Sequence, residues 1–213
     1  AYFNHSQSNQ YQEPYRDQDR AGDDLEQVIL DQLNQAQISI DIAVQELNLP
    51  QIAHALVAKQ REGVRVRVVV ENDYRQPWST LSPTEIRDLA ERDRHKYDEF
   101  LQLVDANRDG QVQSTEAIQR DAMRILELGQ IPLIDDTADG SKGSGLVHHK
   151  FVVVDDQVAV IGSANFTTSG VHGDSRNPDS LGNANHLVVI YYVSIAQRLT
   201  DEFDLMWGDG PGG

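Results

Sequence analysis

His148-His149-Lys150-Phe151-Val152-Val153-Val154-Asp155-Asp156-Gln157-Val158-Ala159-Val160-Ile161-Gly162-Ser163-Ala164-Asn165 carries six specified residues in the spacing HxK(x)4D(x)6GSxN. On an extended strand, residues two apart share a face, so His148 and Lys150 point the same way. Phe151 to Val154 is apolar and β-branched, as a buried strand requires, and Val158 to Ile161 is a second such run. Asp155-Asp156-Gln157 between them is turn-like, which predicts a hairpin that carries the chemistry. His149 falls on the opposite face and reads as a packed or solvated histidine. A buried hairpin with incidental polar groups is the bland alternative, but a buried strand does not normally hold His and Lys together without partners.

The segments around the hairpin predict one α/β sandwich. Asp23 and Asp24 start a helix whose Leu25, Val28, Ile29 and Leu33 share a face, with the acids at the favourable end of the dipole. Ile38, Ile40, Ile42 and Val44 alternate as a strand. Pro50 then opens a helix with Ile52, Leu56 and Val57 inward, closed by Gly63, and Val64 to Val70 is the next strand. That order is a βαβ unit, for which a right-handed crossover is expected. Ile131 to Ile134 gives a short strand before the hairpin. Leu187 to Tyr192 gives one after it, followed by a C-terminal helix with Ile195, Leu199, Phe203 and Met206.

The HxK(x)4D(x)6GSxN stretch resembles the HKD motif of the phospholipase D superfamily at every specified position, and the resemblance extends over about residues 21–207. It implies a phospholipase D-like α/β/α sandwich and phosphodiester hydrolysis through a covalent phosphohistidine. The chemistry is sensible on its own terms. A phosphodiester anion repels hydroxide, so a neutral imidazole splits one hard displacement into two easier ones. Fixed cations and hydrogen-bond donors then hold the oxygens as charge builds. By this resemblance His148 is the nucleophile, Lys150 and Asn165 bind phosphoryl oxygens, and Ser163 donates a further hydrogen bond. Asp155 belongs to the same catalytic motif in a supporting role, holding the loop and its partners. No metal is required for the chemical step.

A departing alkoxide also needs a general acid, and the chain has one HKD motif. The resemblance implies a half-site that pairs with a second copy in an isologous homodimer, or else a chain lacking the second HKD half of a longer protein. The family pattern further includes a segment resembling NxEN, where this chain reads Asn183-Ala184-Asn185-His186. The glutamate is replaced by Asn185, a substrate-site residue able to accept a hydrogen bond from the imidazole N–H without contributing a charge. His186 fits either a pocket residue or a histidine at a strand start.

Asp105-Ala106-Asn107-Arg108-Asp109-Gly110-Gln111-Val112-Gln113-Ser114-Thr115-Glu116 matches the twelve-residue EF-hand calcium loop. Asp105, Asn107, Asp109 and Glu116 supply side-chain oxygens, Gln111 its backbone carbonyl, and Gln113 acts through water. Gly110 occupies the sharp turn and Val112 the apolar position. Phe100, Leu101, Leu103 and Val104 precede the loop on an entering helix, and Ile118, Ala122, Met123, Ile125 and Leu126 follow on an exiting one. A polar turn between two helices is the plainer alternative. Asp135, Thr137, Asp139 and Gly140 imitate half of a second loop, but Leu146 stands at its twelfth position, so no metal is assigned there. The hand lies in a helical insertion over about residues 75–120, between the strand ending at Val70 and the helix returning to the sheet. An unpaired hand is expected to bind Ca2+ weakly, roughly 10⁻⁵ to 10⁻³ M.

At 213 residues and 39% hydrophobic, the chain is long enough for one good core. Residues 1–20, rich in Gln, Asn, Ser and Tyr from Asn4 onward, are expected to form an irregular arm, although Tyr2-Phe3 could make a short strand. Residues 208–213 read as a linker-like tail. No apolar run is long enough to span a bilayer. There is no cysteine, hence neither a disulfide nor a thiolate metal site. A weak calcium site would fill in extracellular or periplasmic fluid, which points toward export. The net charge of −16 opposes long-range attraction to nucleic acid and to anionic membranes, while Lys142, Lys150 and Arg176 could make a dimer cleft locally positive. Phospholipid and nucleic acid both remain as substrates. A phosphatidyl or phosphoryl transferase, and a calcium-responsive binding module with a weakened site, are the competing functions.

Overall fold

The computed structural model describes residues 1–137, 146–174, 177 and 179–211. Lys142, Arg176, Asp139, Gly140 and the last two glycines of the tail lie outside them. In chain order the sheet elements are β1 (Tyr2–Phe3), β2 (Gln10–Gln12), β3 (Asp19–Ala21), β4 (Ser39–Val44), β5 (Arg65–Val70), β6 (Leu133–Asp135), β7 (Lys150–Val154), β8 (Val158–Gly162) and β9 (His186–Ile190). The α-helices are α1 (Leu25–Gln35), α2 (Pro50–Arg61), α3 (Pro83–Asp88), α4 (Glu91–Val104), α5 (Ser114–Arg120), α6 (Ala122–Leu128), α7 (Thr168–Val171) and α8 (Val193–Trp207).

All six residues of β4 are buried, because helices cover both faces of the sheet to which it belongs. Ile40, Ile42, Val44, Val66, Val68, Val152 and Val160 pack against α1, α2 and α6. Ala43, Val69, Phe151, Val153 and Ala159 face Ala196 and Phe203 of α8. The result is the expected α/β/α sandwich. Asp41 breaks the apolar pattern of β4, and its burial is balanced by the Arg67 guanidinium, which donates to its two oxygens at 2.7 and 2.8 Å. Arg67 also pairs with Asp204 at 2.8 Å and lies 4.7 Å over the Phe203 ring, tying α8 to the sheet.

The seven strands run in the order β1-β9-β8-β7-β4-β5-β6. β4, β5 and β6 are parallel; β7 is antiparallel to both β4 and β8, and β9 to both β8 and β1. This register gathers the C-terminal ends of β4, β5 and β8 with the N-terminal ends of β7 and β9 at one edge. Val44 stands opposite Lys150, and Gly162 opposite Leu187.

Two expectations are corrected. The N-terminal segment is not irregular: β1 pairs with β9, and β2 with β3 in a small hairpin. Its polar side chains supply the cause, since buried Arg20 donates to the carbonyls of Asp174 and Ser180, and buried Asn4 to that of Asn183. The exiting helix of the loop at 105–116 is not continuous either. It stops at Arg120, and Asp121, extended at φ −84° and ψ 106°, caps a new helix by accepting from Arg124 N. Asp121 also accepts from Ser79 N at 2.9 Å, so the residue whose backbone ends α5 starts α6 and anchors the insertion with its side chain. Past α8 the chain turns back, with Gly210 N donating to Trp207 O at 2.9 Å, so Gly208–Gly210 is folded against the helix end.

Candidate active site

β4 runs past Val44 into Gln45 and Glu46, between the chain entering β7 and the chain leaving β8. Gln45 N donates to His149 O at 3.1 Å, and Phe166 N donates to Glu46 O at 3.0 Å. These backbone bonds set Lys150 and Asn165 on either side of Gln45. The Gln45 Oε1 accepts from Lys150 Nζ at 3.4 Å and from Asn165 Nδ2 at 3.2 Å. Lys150 Nζ also donates to His148 O at 3.0 Å. The His148 imidazole itself is exposed and has no hydrogen bond among the described residues. Burial pulls the Lys150 ammonium below the ordinary lysine value, with the Glu46 carboxylate opposing that shift. The Oδ1 of Asn165 is buried without a partner among the described residues, a free acceptor at the bottom of the site.

Ser163 stands at the end of β8. Its hydroxyl donates to Asn185 Oδ1 at 2.8 Å and lies 3.3 Å from His186 Nδ1. Asn185 thus accepts from Ser163 through Oδ1, and its Nδ2 donates to Gly170 O at 2.8 Å. Without the negative charge of a glutamate it serves as a neutral brace between β8, α7 and the start of β9. His186 does begin a strand, and it also reaches the serine.

Asp155 lies outside the constellation of His148, Lys150, Ser163 and Asn165. Five residues along β7 at roughly 3.3 Å each put it about 16 Å from Lys150. There it occupies a left-handed turn at φ 55°, and its carboxylate accepts from the backbone N–H groups of Gln37, Ile38 and Ser39. It holds the loop at the hairpin tip, where its oxygens cannot reach a phosphate bound at the other end. His149 points away as expected, with its ring edge-on to Phe151 at 5.8 Å and its Nε2 3.8 Å from Glu202.

Sequence reasoning missed Gln45, Glu46 and Glu71. Glu71 follows β5, is buried, and accepts Val147 N at 2.9 Å, fixing the strand that presents His148. Burial raises the pKa of its carboxyl above the ordinary value. The signal was available: polar residues immediately beyond the C-terminal ends of parallel strands are where open α/β sheets bind ligands.

In the loop at 105–116, α4 enters and α5 leaves, and Gly110 takes φ +83°. Asp105 accepts from Asp109 N and Gly110 N, Asn107 Oδ1 from Asp109 N, and Asp109 from Gln111 N. The last bond holds the Asp109 carboxyl below its usual pKa. Glu116 closes the loop, with Oε1 accepting from Ala106 N and Asn107 N and Oε2 from Gln113 N. The oxygens are of the type calcium takes. Among the described residues, however, no group of three or more His, Asp or Glu side chains converges closely enough to hold an ion. No helix there is long and apolar enough to cross a membrane.

Residues 29–207 match the family model described as "Cardiolipin synthase, PLD-like domain". Mitochondrial cardiolipin hydrolase of Xenopus laevis is 27% identical over 177 residues, 83% of this chain and 61% of that protein. The protein of the same name in Xenopus tropicalis is 26% identical over 172 residues, 81% of this chain and 59% of its own length. The chain thus spans about three fifths of these relatives. Among solved structures, the phospholipase D family member Nuc from Salmonella typhimurium superimposes with a TM-score of 0.53 at 20% identity, covering 87% of this chain and 88% of its own. NucT from Helicobacter pylori gives 0.50 at 13% identity, with coverages of 88% and 90%. These likenesses establish the fold shared with Nuc and NucT. With the family model covering all but the ends of the sandwich, the chain belongs to the phospholipase D-like family.

Proposed function

We propose that this protein is a phosphodiester hydrolase in which His148 attacks phosphorus. The observation that carries this reading is the convergence of Lys150 and Asn165 on Gln45, beside an exposed His148 and a braced Ser163. Three separate parts of the chain hold donors around one edge of the sheet, as a phosphoryl group requires. The His148 imidazole forms an N–P bond as the alkoxide leaves with a proton from a general acid. Water then breaks the N–P bond, returning the imidazole and releasing the phosphomonoester. In this reading the general acid is His148 of a second copy across a two-fold axis, which makes the working unit a homodimer.

Phospholipid is the substrate class this proposal favours. The sequence relatives bear the name cardiolipin hydrolase. Ca2+ is proposed for Asp105, Asn107, Asp109, the Gln111 carbonyl and Glu116, with a structural or regulatory task outside the chemical step. The test is turnover of radiolabelled cardiolipin vesicles and of single-stranded DNA by the full chain and by His148→Ala, with an alkaline detergent quench to trap phosphohistidine and light scattering for size. Lipid turnover abolished in the variant, with label on the peptide containing residue 148, is the expected result. Turnover without label there overturns the mechanism, and turnover of DNA alone overturns the substrate class.

A further inference from the structure

The end of the sheet that holds Lys150 also holds an acid, and the insertion answers it. Glu46 directly follows Gln45, its side chain is only 14% exposed, and its charge acts on Lys150. Left alone, a half-buried carboxylate here would oppose any phosphoryl anion binding at Lys150 and Asn165. Lys96 of α4 meets it at 2.6 Å, with its own side chain 21% exposed. The same ammonium lies 3.8 Å over the Tyr74 ring, and Arg92 one turn earlier donates to the Tyr74 hydroxyl at 3.3 Å. A second contact fixes the helix over the loop after the GSxN segment, where Ser169 Oγ donates to Glu99 at 3.4 Å. Thus α4, which leads into the acidic loop at 105–116, forms a wall of the site.

We infer that Lys96 is a positioning residue for phosphate binding, neutralising Glu46 so that Lys150 and Asn165 present net attraction to a phosphoryl anion. It touches no substrate and acts through Glu46. The inference rests on reading this end of the sheet as a phosphate site. It also shows how a chain of net charge −16 can keep one local region receptive to an anion. Burial tends to discharge Lys96, but Glu46 and Tyr74 more than offset it, and its pKa lies above the ordinary lysine value. Its ammonium therefore stays charged through neutral pH.

The experiment is calorimetric binding of inorganic phosphate to the full chain at low salt, with steady-state kinetics on cardiolipin vesicles in parallel. Lys96→Met should weaken phosphate binding about tenfold, and raise KM far more than it lowers kcat. Lys96→Arg, which keeps the charge, should stay within about threefold of wild type, and so should the double variant Glu46→Gln/Lys96→Met, in which the Glu46 carboxylate is removed together with its partner. Urea unfolding of the same variants separates charge neutralisation from a structural part: phosphate affinity should fall in Lys96→Met and recover in the double variant at a temperature where all three chains are fully folded, whereas an affinity that only follows the folded fraction would make the pair structural. Unchanged phosphate affinity in Lys96→Met, or a double variant as weak as the single one, overturns the inference. If phosphate binds in this pattern but no phosphodiester is cleaved, the catalytic proposal falls and the inference stands. A wild-type chain that binds no phosphate sinks the inference with the site.

Discussion

The side-chain oxygen of Gln45 receives both Lys150 Nζ at 3.4 Å and Asn165 Nδ2 at 3.2 Å, joining the two ends of the HKD hairpin through a residue 105 positions before the lysine. Both donors belong to the proposed phosphate site, and neither has its direction fixed by the hairpin alone. Gln45→Ala should lower kcat/KM by about 10–100-fold, with a change of no more than ~2 kcal/mol in folding stability. Kinetics on a phosphodiester together with a urea titration would check it. A fall in stability without loss of kcat/KM would show that Gln45 is only packing.

Asp155 should behave in the opposite way. Its carboxylate accepts three consecutive backbone N–H groups at the far end of β7. Asp155→Ala leaves those donors short of an acceptor and should cost about 2–4 kcal/mol of stability. At a temperature where the variant stays folded, kcat/KM should remain within about threefold of wild type. A drop of a hundredfold at unchanged stability would return this aspartate to the catalytic machinery.

The contrast between these residues shows what was legible in the sequence. The strands β5, β7 and β8 could be read because covering both sheet faces demands continuous apolar runs, β4 because Ile40, Ile42 and Val44 alternate, and the hairpin because its motif is local. Asp155 is as strictly spaced as Lys150, but spacing along a strand carries no record of which end holds the chemistry. That required the antiparallel register of β7 against β4. Gln45, Glu46 and Glu71 enter the site only through pairing between strands distant in sequence. The ordered N-terminal segment escaped for another reason: Arg20 and Asn4 are held by the carbonyls of Asp174, Ser180 and Asn183, and polar burial of that kind leaves no periodic trace.

The alkaline limb of activity should report Lys150. Burial disfavours its ammonium, so the charge is lost at a lower pH than for an ordinary lysine, and attraction for phosphate falls as pH rises through that value. The plot of kcat/KM against pH should therefore descend earlier than free lysine would dictate. Lys150→Arg should be slower at neutral pH but lose this limb, because a guanidinium keeps its proton beyond about pH 12. A limb unmoved in the variant would belong to another group.

Calcium binding can be judged apart from catalysis. Filling the loop means exchanging the hydrogen bonds that Asp105, Asp109 and Glu116 make to its backbone for metal–oxygen contacts. At a calcium concentration of about 100 times Kd the native state should gain ~2.7 kcal/mol, which moves Tm upward by roughly 5–10 °C for a chain of this size. Glu116→Gln removes the twelfth-position charge and should abolish most of that shift. Identical melting in chelator and at about 100 mM calcium, roughly 100 times the weakest Kd expected, would assign the loop as a plain helix connection.

His172 Nε2 lies 2.6 Å from Glu26 Oε2, and each side chain is 2% exposed. Tyr11 meets the other ring nitrogen at 3.0 Å, and the Tyr15 hydroxyl bonds to the second carboxylate oxygen. Burial raises the pKa of both phenols, so they remain protonated donors across the physiological range. This cluster joins the N-terminal hairpin, α1 and the end of α7, whose Gly170 carbonyl holds the Asn185 brace of Ser163. His172→Leu would leave the Glu26 carboxyl buried without its imidazole, at a cost of about 3–5 kcal/mol. The double variant Glu26→Leu/His172→Leu removes the stranded group as well and should recover much of that loss. Urea unfolding of the two variants gives the comparison. A single variant within 1 kcal/mol of wild type would mean that the pair is not what holds α7 to the N-terminal hairpin.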